Sequence, residues 1–80
     1  MKLPRDISGK ELIKTLSLLN YQVTRQTGSH IRLTTQLNGK HSITIPAHDP
    51  IKIGTLNAIL RGISEHHKLN REQLIEILFK

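Results

Sequence analysis

The chain has 80 residues and no cysteine. This length predicts one domain over residues 1–80, and the missing cysteine excludes disulfides and thiolate metal sites. Lys and Arg number 12 against 6 Asp and Glu, which gives a net charge of +6. A basic domain of this size attracts a polyanion, which can be nucleic acid, an acidic protein or an anionic membrane.

The apolar runs are too short to cross a membrane. Residues 1–6, MKLPRD, also lack the apolar core of a signal peptide. We therefore expect a soluble protein of the cytoplasm. Its only aromatic residues are Tyr21 and Phe79, so contacts with RNA should be made to phosphate and 2′-hydroxyl groups rather than to stacked bases.

The first predicted element is a helix that begins at Ser8. Ser8 and Glu11 have the spacing of a capping box, in which each side chain bonds the other's backbone N–H. Apolar residues then recur at helical spacing, namely Leu12, Ile13, Leu16 and Leu19. Asn20 is expected to end this helix near Tyr21.

Three short strands are predicted next, over residues 21–26, 30–35 and 41–45. Thr27-Gly28-Ser29 is typical of a turn, and Asn38-Gly39 is typical of a tight hairpin. Pro46 should end the third strand because proline has no N–H for the ladder. Alternation places Ile31 and Leu33 on one sheet face, and it places His30, Arg32 and Thr34 on the other, which we call the open face.

A second helix is predicted from a buried stripe of Ile53, Leu56, Ile59, Leu60 and Ile63. Residues 64–69 are interpreted as a connector. Asn70 and Gln73 predict the start of a third helix, over about residues 70–79. The fold class is therefore α+β: helix, three-stranded antiparallel sheet and helix, with an additional C-terminal helix. The first two helices would cover one sheet face.

Five histidines are candidates for chemistry. His66 and His67 are adjacent in a helical region and are interpreted as surface residues. His41 has the position of a strand end, and His48 with Asp49 has the position of a turn before a helix. No pair has metal-ligand spacing on a predicted element, the carboxylates are scattered, and no phosphate-cradling loop is present. The sequence predicts neither a metal site nor a cofactor.

His30 has a different context because it follows Gly28-Ser29 at the start of a strand. Gly28 can let a phosphate backbone approach closely. Positive neighbours favour the neutral form of an imidazole, and neutral imidazole can take the proton of a ribose 2′-hydroxyl. Such catalysis is worth roughly 10²–10⁴-fold in rate. From chemistry alone, a polar turn residue is the competing interpretation.

Three segments in this order resemble the HicA family, also called YcfA-like, of toxin–antitoxin systems: Gly28-Ser29-His30, then residues 43–48 (ITIPAH), then residues 53–60 (IGTLNAIL). The resemblance covers about residues 8–64. It implies a double-stranded-RNA-binding-like fold and the activity of a type II toxin, an mRNA interferase that needs one histidine. That histidine corresponds to His30. It also implies a HicB antitoxin that covers the active surface.

The leading hypothesis is an RNA endonuclease in which His30 is the general base. Gly28 and Ser29 would shape the site, while Arg25, Arg32 and Lys40 would lie nearby and attract phosphates. His41, a lysine or water could supply the general acid. The alternatives are a non-catalytic double-stranded-RNA-binding module and a protein whose basic face binds only an acidic partner.

Overall fold

A computed structural model describes residues 6–79. Residues 1–5, which belong to the segment without a signal-peptide core, and residue 80 lie outside the described residues. The elements in chain order are α1 (Gly9–Leu16), a 3₁₀ turn (Ser17–Leu19), β1 (Gln22–Thr27), β2 (His30–Thr35), β3 (His41–Pro46), α2 (Ile53–His67) and α3 (Arg71–Phe79). This order confirms the predicted α+β class. None of the helices within residues 6–79 is long and apolar enough to cross a lipid bilayer.

The predicted capping box starts α1. The Ser8 hydroxyl accepts the Glu11 N–H at 3.1 Å, and a Glu11 carboxylate oxygen accepts the Ser8 N–H at 3.2 Å. The 3₁₀ turn follows, and Asn20 ends it in the left-handed conformation at φ 63°. Asparagine tolerates this conformation better than most residues, so the predicted end of the helix at Asn20 is confirmed.

The sheet has the order β1-β2-β3, and both pairs are antiparallel. The hairpin between β2 and β3 turns at Asn38 and Gly39, whose φ angles are 59° and 96°. Positive φ at both residues is the reason that Asn-Gly favours this turn. Gly28 has a φ of 58° in the turn between β1 and β2. Both predicted turns are therefore confirmed.

The core lies on one side of the sheet. Leu33 and Ile45 are fully buried there, beneath α1 and α2. The third helix packs against α1 and α2 rather than against the sheet and buries Leu74 and Leu78. Among residues 6–79, no helix covers the other sheet face, and the predicted outward direction of His30 on β2 is confirmed by the burial pattern of that strand.

A β-bulge interrupts the pairing of β1 with β2. Val23 is opposite Leu33 and Arg25 is opposite Arg32, so Thr24 is an extra residue on β1. Without the bulge, Arg25 would share the inward direction of Val23, because side chains alternate along a strand. The extra residue instead turns Arg25 to the open face.

The second helix is longer than predicted. It continues through Ser64 to His67, where a connector was expected, and it ends at Lys68 with φ 54°. His67 is only 8% exposed and extends the buried stripe by one turn. The start of α3 is as predicted, since the Gln73 N–H donates to the Asn70 side-chain oxygen at 2.8 Å.

Candidate functional site

His30 is the first residue of β2 and stands at the end of the open face. It is exposed, with Thr27 of β1 opposite on one side and Pro46 of β3 on the other. The turn before it leaves room for a ligand, because a Cβ added to Gly28 would meet no atom within 4 Å. The imidazole therefore stands at an accessible sheet end beside a turn that a phosphate backbone can approach.

Arg25 and Arg32 lie directly opposite each other, one row of residues from His30. We call them the arginine pair. Both are exposed, and neither guanidinium group has a hydrogen-bond or ion-pair partner among residues 6–79. Like charges placed directly across a sheet destabilise it. Two unpartnered guanidinium groups in this arrangement can donate charge-assisted hydrogen bonds to an anion.

A row of hydroxyl groups follows the arginine pair on the open face. The Thr34 and Ser42 hydroxyl oxygens lie 2.9 Å apart, and the Thr24 and Thr34 hydroxyl oxygens lie 3.4 Å apart. We call these three side chains the hydroxyl row. The three strands contain no Asp or Glu. The open face therefore offers cations and hydroxyl groups to a polyanion, without a carboxylate on the strands that would repel it.

The structure separates one of the predicted site residues, Lys40, from His30. Lys40 precedes β3, at the opposite end of the sheet, so the expectation that it lies near His30 is wrong. Ser29 does lie beside His30, but its carbonyl oxygen is occupied by the Ala47 N–H at 2.6 Å. The predicted residues that come together are thus Gly28, Ser29 and His30 in one place, with the arginine pair next to them.

The suggestion that His41 is the general acid in the reaction with His30 is wrong. It pairs with Thr35 at the far end of β2 and faces the helices rather than the open face. Its Nδ1 lies 2.7 Å from the Tyr21 hydroxyl. An acid must reach the reacting atoms directly or through one water, and the sheet itself stands between His41 and that position.

His41 instead belongs to a group that sequence reasoning missed. We call it the histidine cluster: Tyr21, Asn38, His41, His66 and His67. The Tyr21 hydroxyl lies 3.0 Å from His67 Nε2, and the Asn38 side-chain nitrogen lies 3.0 Å from His67 Nδ1. The group fastens the end of α2 to the start of β1 and to the hairpin.

His66 completes the histidine cluster from the adjacent helical position. Its ring stacks on that of His41 with centroids 4.4 Å apart, and its Nε2 donates to the Leu37 and Gly39 carbonyl oxygens. The prediction that His66 and His67 are surface residues is therefore wrong for His67, which is buried, whereas His66 stays partly exposed. The signal was present: His67 lies four residues after Ile63, at the spacing of the buried stripe.

Burial changes the proton affinities in the histidine cluster. It lowers the pKa of His41 and of His67 below the usual 6.5, and charge on His66 lowers both further. Burial also raises the pKa of Tyr21 to about 12. Within residues 6–79, no three His, Cys, Asp or Glu side chains are placed to hold a metal ion together. The cluster is thus a network of hydrogen bonds in which burial favours the neutral forms of His41 and His67.

The sequence pattern of one protein family, described as the HicA toxin of bacterial toxin–antitoxin systems, matches residues 9–63. The chain belongs to the HicA toxin family. The match begins at the first residue of α1 and ends inside α2, so it includes all three strands, His30 and the arginine pair. No curated protein and no solved structure matches the chain.

Membership in the HicA family implies a cognate antitoxin as partner. The matched span also contains the Gly54-Thr55-Leu56 segment, which forms the start of α2 and buries Leu56. His66, His67 and α3 lie beyond the match. The histidine cluster therefore joins a part of the chain that follows the HicA pattern to a part that the pattern does not include.

Proposed function

We propose that this HicA toxin is an mRNA interferase of a type II toxin–antitoxin system and that His30 is its general base. The observation that carries the proposal is the placement of His30. It is exposed at the end of a face whose strands lack carboxylates, one row from the unpartnered arginine pair. This arrangement supports binding of an anionic substrate beside an accessible imidazole.

In the proposed reaction, neutral His30 takes the proton of a ribose 2′-hydroxyl. The 2′-oxygen then attacks the adjacent phosphorus, and the bond between phosphorus and the 5′-oxygen breaks. The leaving 5′-oxygen takes a proton from water, and the hydroxide that remains takes the proton held by His30, which returns to its neutral form. The products are a 2′,3′-cyclic phosphate and a 5′-hydroxyl, and no metal ion or cofactor enters the balance.

The other predicted site residues have distinct proposed roles. Gly28 and Ser29 shape the turn that the phosphate backbone approaches. Arg25 and Arg32 attract phosphates and balance charge that develops on the attacked phosphate. Lys40 lies at the other end of the sheet, so we assign it to RNA outside the cleavage position.

The test is cleavage of a defined RNA by the isolated chain and by two variants. We expect His30→Ala to lower the cleavage rate roughly 10²–10⁴-fold and to bind RNA nearly as well as the native chain. Glu65→Ala is the control, because Glu65 is an exposed residue of α2, which packs on the opposite side of the sheet from the open face. A folded His30→Ala variant that cuts RNA at the native rate would overturn the assignment.

The proposed partner is a HicB-like antitoxin that covers the open face in the cytoplasm. A toxin whose open face carries two unpartnered arginines suits an antitoxin surface with acidic groups. Antitoxin and RNA should then compete, which can be measured by displacement of labelled RNA from the His30→Ala variant. Simultaneous binding of both would place the antitoxin on another surface.

A non-catalytic double-stranded-RNA-binding module is the second candidate. The observation in its favour is the absence of aromatic residues from the three strands, since duplex RNA is recognised through phosphates and 2′-hydroxyl groups. This candidate predicts salt-sensitive binding to duplex RNA without cleavage products from the native chain. Cyclic-phosphate products that depend on His30 would exclude it.

A further inference from the structure

We infer that the bound RNA strand runs along β2, with the cleaved phosphate at His30, the next phosphate on the arginine pair, and the following nucleotide on the hydroxyl row. The site then holds nucleotides on one side of the cut only. This inference rests on the proposed function, and it assigns which part of the substrate each row contacts.

The order of the residue rows on the open face gives the path of the RNA strand away from His30. On β2, His30, Arg32 and Thr34 share the open face and succeed one another at about 7 Å, twice the strand rise. Across the strands, the row that contains His30 offers only Thr27 and Pro46, which carry no charge. A phosphate chain that starts at His30 therefore meets its next cations along β2 and not across the sheet.

The bulge at Thr24 places two cations, Arg25 and Arg32, in the second row. Arg25 lies opposite Arg32 only because the extra residue reverses its direction. Two unpartnered guanidinium groups across one pair of strands repel each other in the free protein. A phosphate between them removes that repulsion and gains charge-assisted hydrogen bonds from both. Thr24 thus acts as a positioning residue for Arg25.

Within residues 6–79, the opposite side of His30 has no equivalent row on the sheet. Thr27 and His30 form the last pair of β1 with β2, and the chain turns at Gly28 and Ser29. Lys10 lines a groove of about 380 Å³ near this end. However, that groove also contains Gln26 and Ile31, whose side chains point away from the open face. An RNA strand that lies on the open face would therefore leave the sheet at the His30 end.

The hydroxyl row adds contacts without charge. Thr34 and Ser42 are already bonded to each other at 2.9 Å, which fixes their oxygens before RNA arrives. Hydroxyl groups can donate to phosphate oxygens and accept from a ribose 2′-hydroxyl. Their contribution should therefore not depend on salt, whereas that of the arginine pair should.

The first experiment measures RNA binding against salt concentration in the His30→Ala background, which prevents cleavage. For single-stranded RNA, each neutralised phosphate adds about 0.7 to the slope of log affinity against log salt. Because one phosphate lies between the two arginines, we expect the double variant Arg25→Gln, Arg32→Gln to reduce the slope by about 0.7 in all, and each single variant by part of that amount. Arg61→Gln, an exposed cation of α2, is the matched control. An unchanged slope in the double variant would overturn the inference.

The second experiment measures kcat/KM for the native chain on two series of RNA oligonucleotides, one shortened from the 5′ side of the cut and one from the 3′ side. We expect loss in one series only, with no such loss in the arginine double variant. Equal losses in both series would overturn the inference and leave the proposed catalysis standing. No cleavage, with an arginine-dependent salt slope, would reject the catalysis and keep the binding path.

Discussion

The hydroxyl of Tyr21 lies 3.0 Å from Nε2 of His67, and this contact joins the residue before β1 to the last residue of α2. The Asn38 side-chain nitrogen donates to His67 Nδ1, so His67 must carry its hydrogen on Nε2 and donate it to Tyr21. Tyr21 then donates to His41 Nδ1. All the bonds point the same way, and both histidines are neutral.

Because this order of hydrogen bonds needs neutral His41 and His67, we expect acid to destabilise the fold. In the folded state the pKa values of His41 and His67 are both lower than 6.5, and burial is the largest cause. Below pH 6.5 the unfolded chain therefore binds more protons than the folded chain, so the free energy of unfolding falls as the pH falls. Well above pH 6.5 both states are neutral at these sites, and this contribution is constant. Urea unfolding between about pH 8 and about pH 5 measures it.

The geometry limits how the histidine cluster can adapt. A proton on His41 Nδ1 puts N–H groups on both sides of the Tyr21 hydroxyl, because His67 already donates from Nε2. The hydroxyl can then donate to neither ring. A His41→Gln, His67→Gln double variant should flatten the pH profile below 6.5. A profile as steep as the native one would contradict this account.

Removal of the Tyr21 hydroxyl should destabilise the protein even at pH 8. Tyr21→Phe leaves His41 Nδ1 without its donor and His67 Nε2 without its acceptor, and His67 is 8% exposed. Unsatisfied buried groups cost about 1–3 kcal/mol. Chemical denaturation measures the difference. A loss well below that range would mean that water replaces the hydroxyl.

Gly9→Ala should destabilise the protein by about 1–3 kcal/mol, as overpacked sites do. An added Cβ would lie 2.5 Å from the Pro46 carbonyl oxygen and 3.1 Å from the Ala47 Cα. Gly62→Ala is the matched control within α2, because its Cβ meets nothing within 4 Å. That change should stabilise by roughly 0.5–1 kcal/mol through helix propensity. Equal effects of the two substitutions on the urea midpoint would refute the close contact.

The cap of α3 should contribute measurably to stability. Asn70 and Gln73 exchange two side-chain-to-backbone bonds at 2.9 and 2.8 Å, and loss of such a cap costs about 1 kcal/mol. We therefore expect Asn70→Ala to lower the free energy of unfolding by that amount. Arg71→Ala, which removes an exposed bond to Asn57, should cost less than about 0.5 kcal/mol. Comparable losses would show that α3 does not depend on its cap.

The elements that follow a simple period could be predicted from the sequence. Alternation over residues 30–35 gave the correct direction of His30, because β2 pairs without interruption on the side of β3. The direction of Arg25 could not be predicted in the same way. It depends on one unpaired residue at Thr24, and a bulge leaves no mark in an alternation pattern.

The histidine cluster escaped prediction for a different physical reason. His41 and His67 are polar residues, and a sequence pattern predicts polar side chains to be exposed unless their hydrogen-bond partners are known. Their partners come from segments that are far apart in the chain and meet only after the sheet and α2 have packed. The fold was thus predictable from local patterns, whereas this site depends on tertiary contacts between residues 21, 38, 41, 66 and 67.

The chain contains one tyrosine and no tryptophan. Tyrosine emission from the native protein therefore comes from a single ring, and that ring is Tyr21, which is 2% exposed between His41 and His67. The fluorescence of Tyr21 therefore reports on the junction of α2 with the sheet. Opening of this junction by acid, by antitoxin or by RNA can be followed without any label.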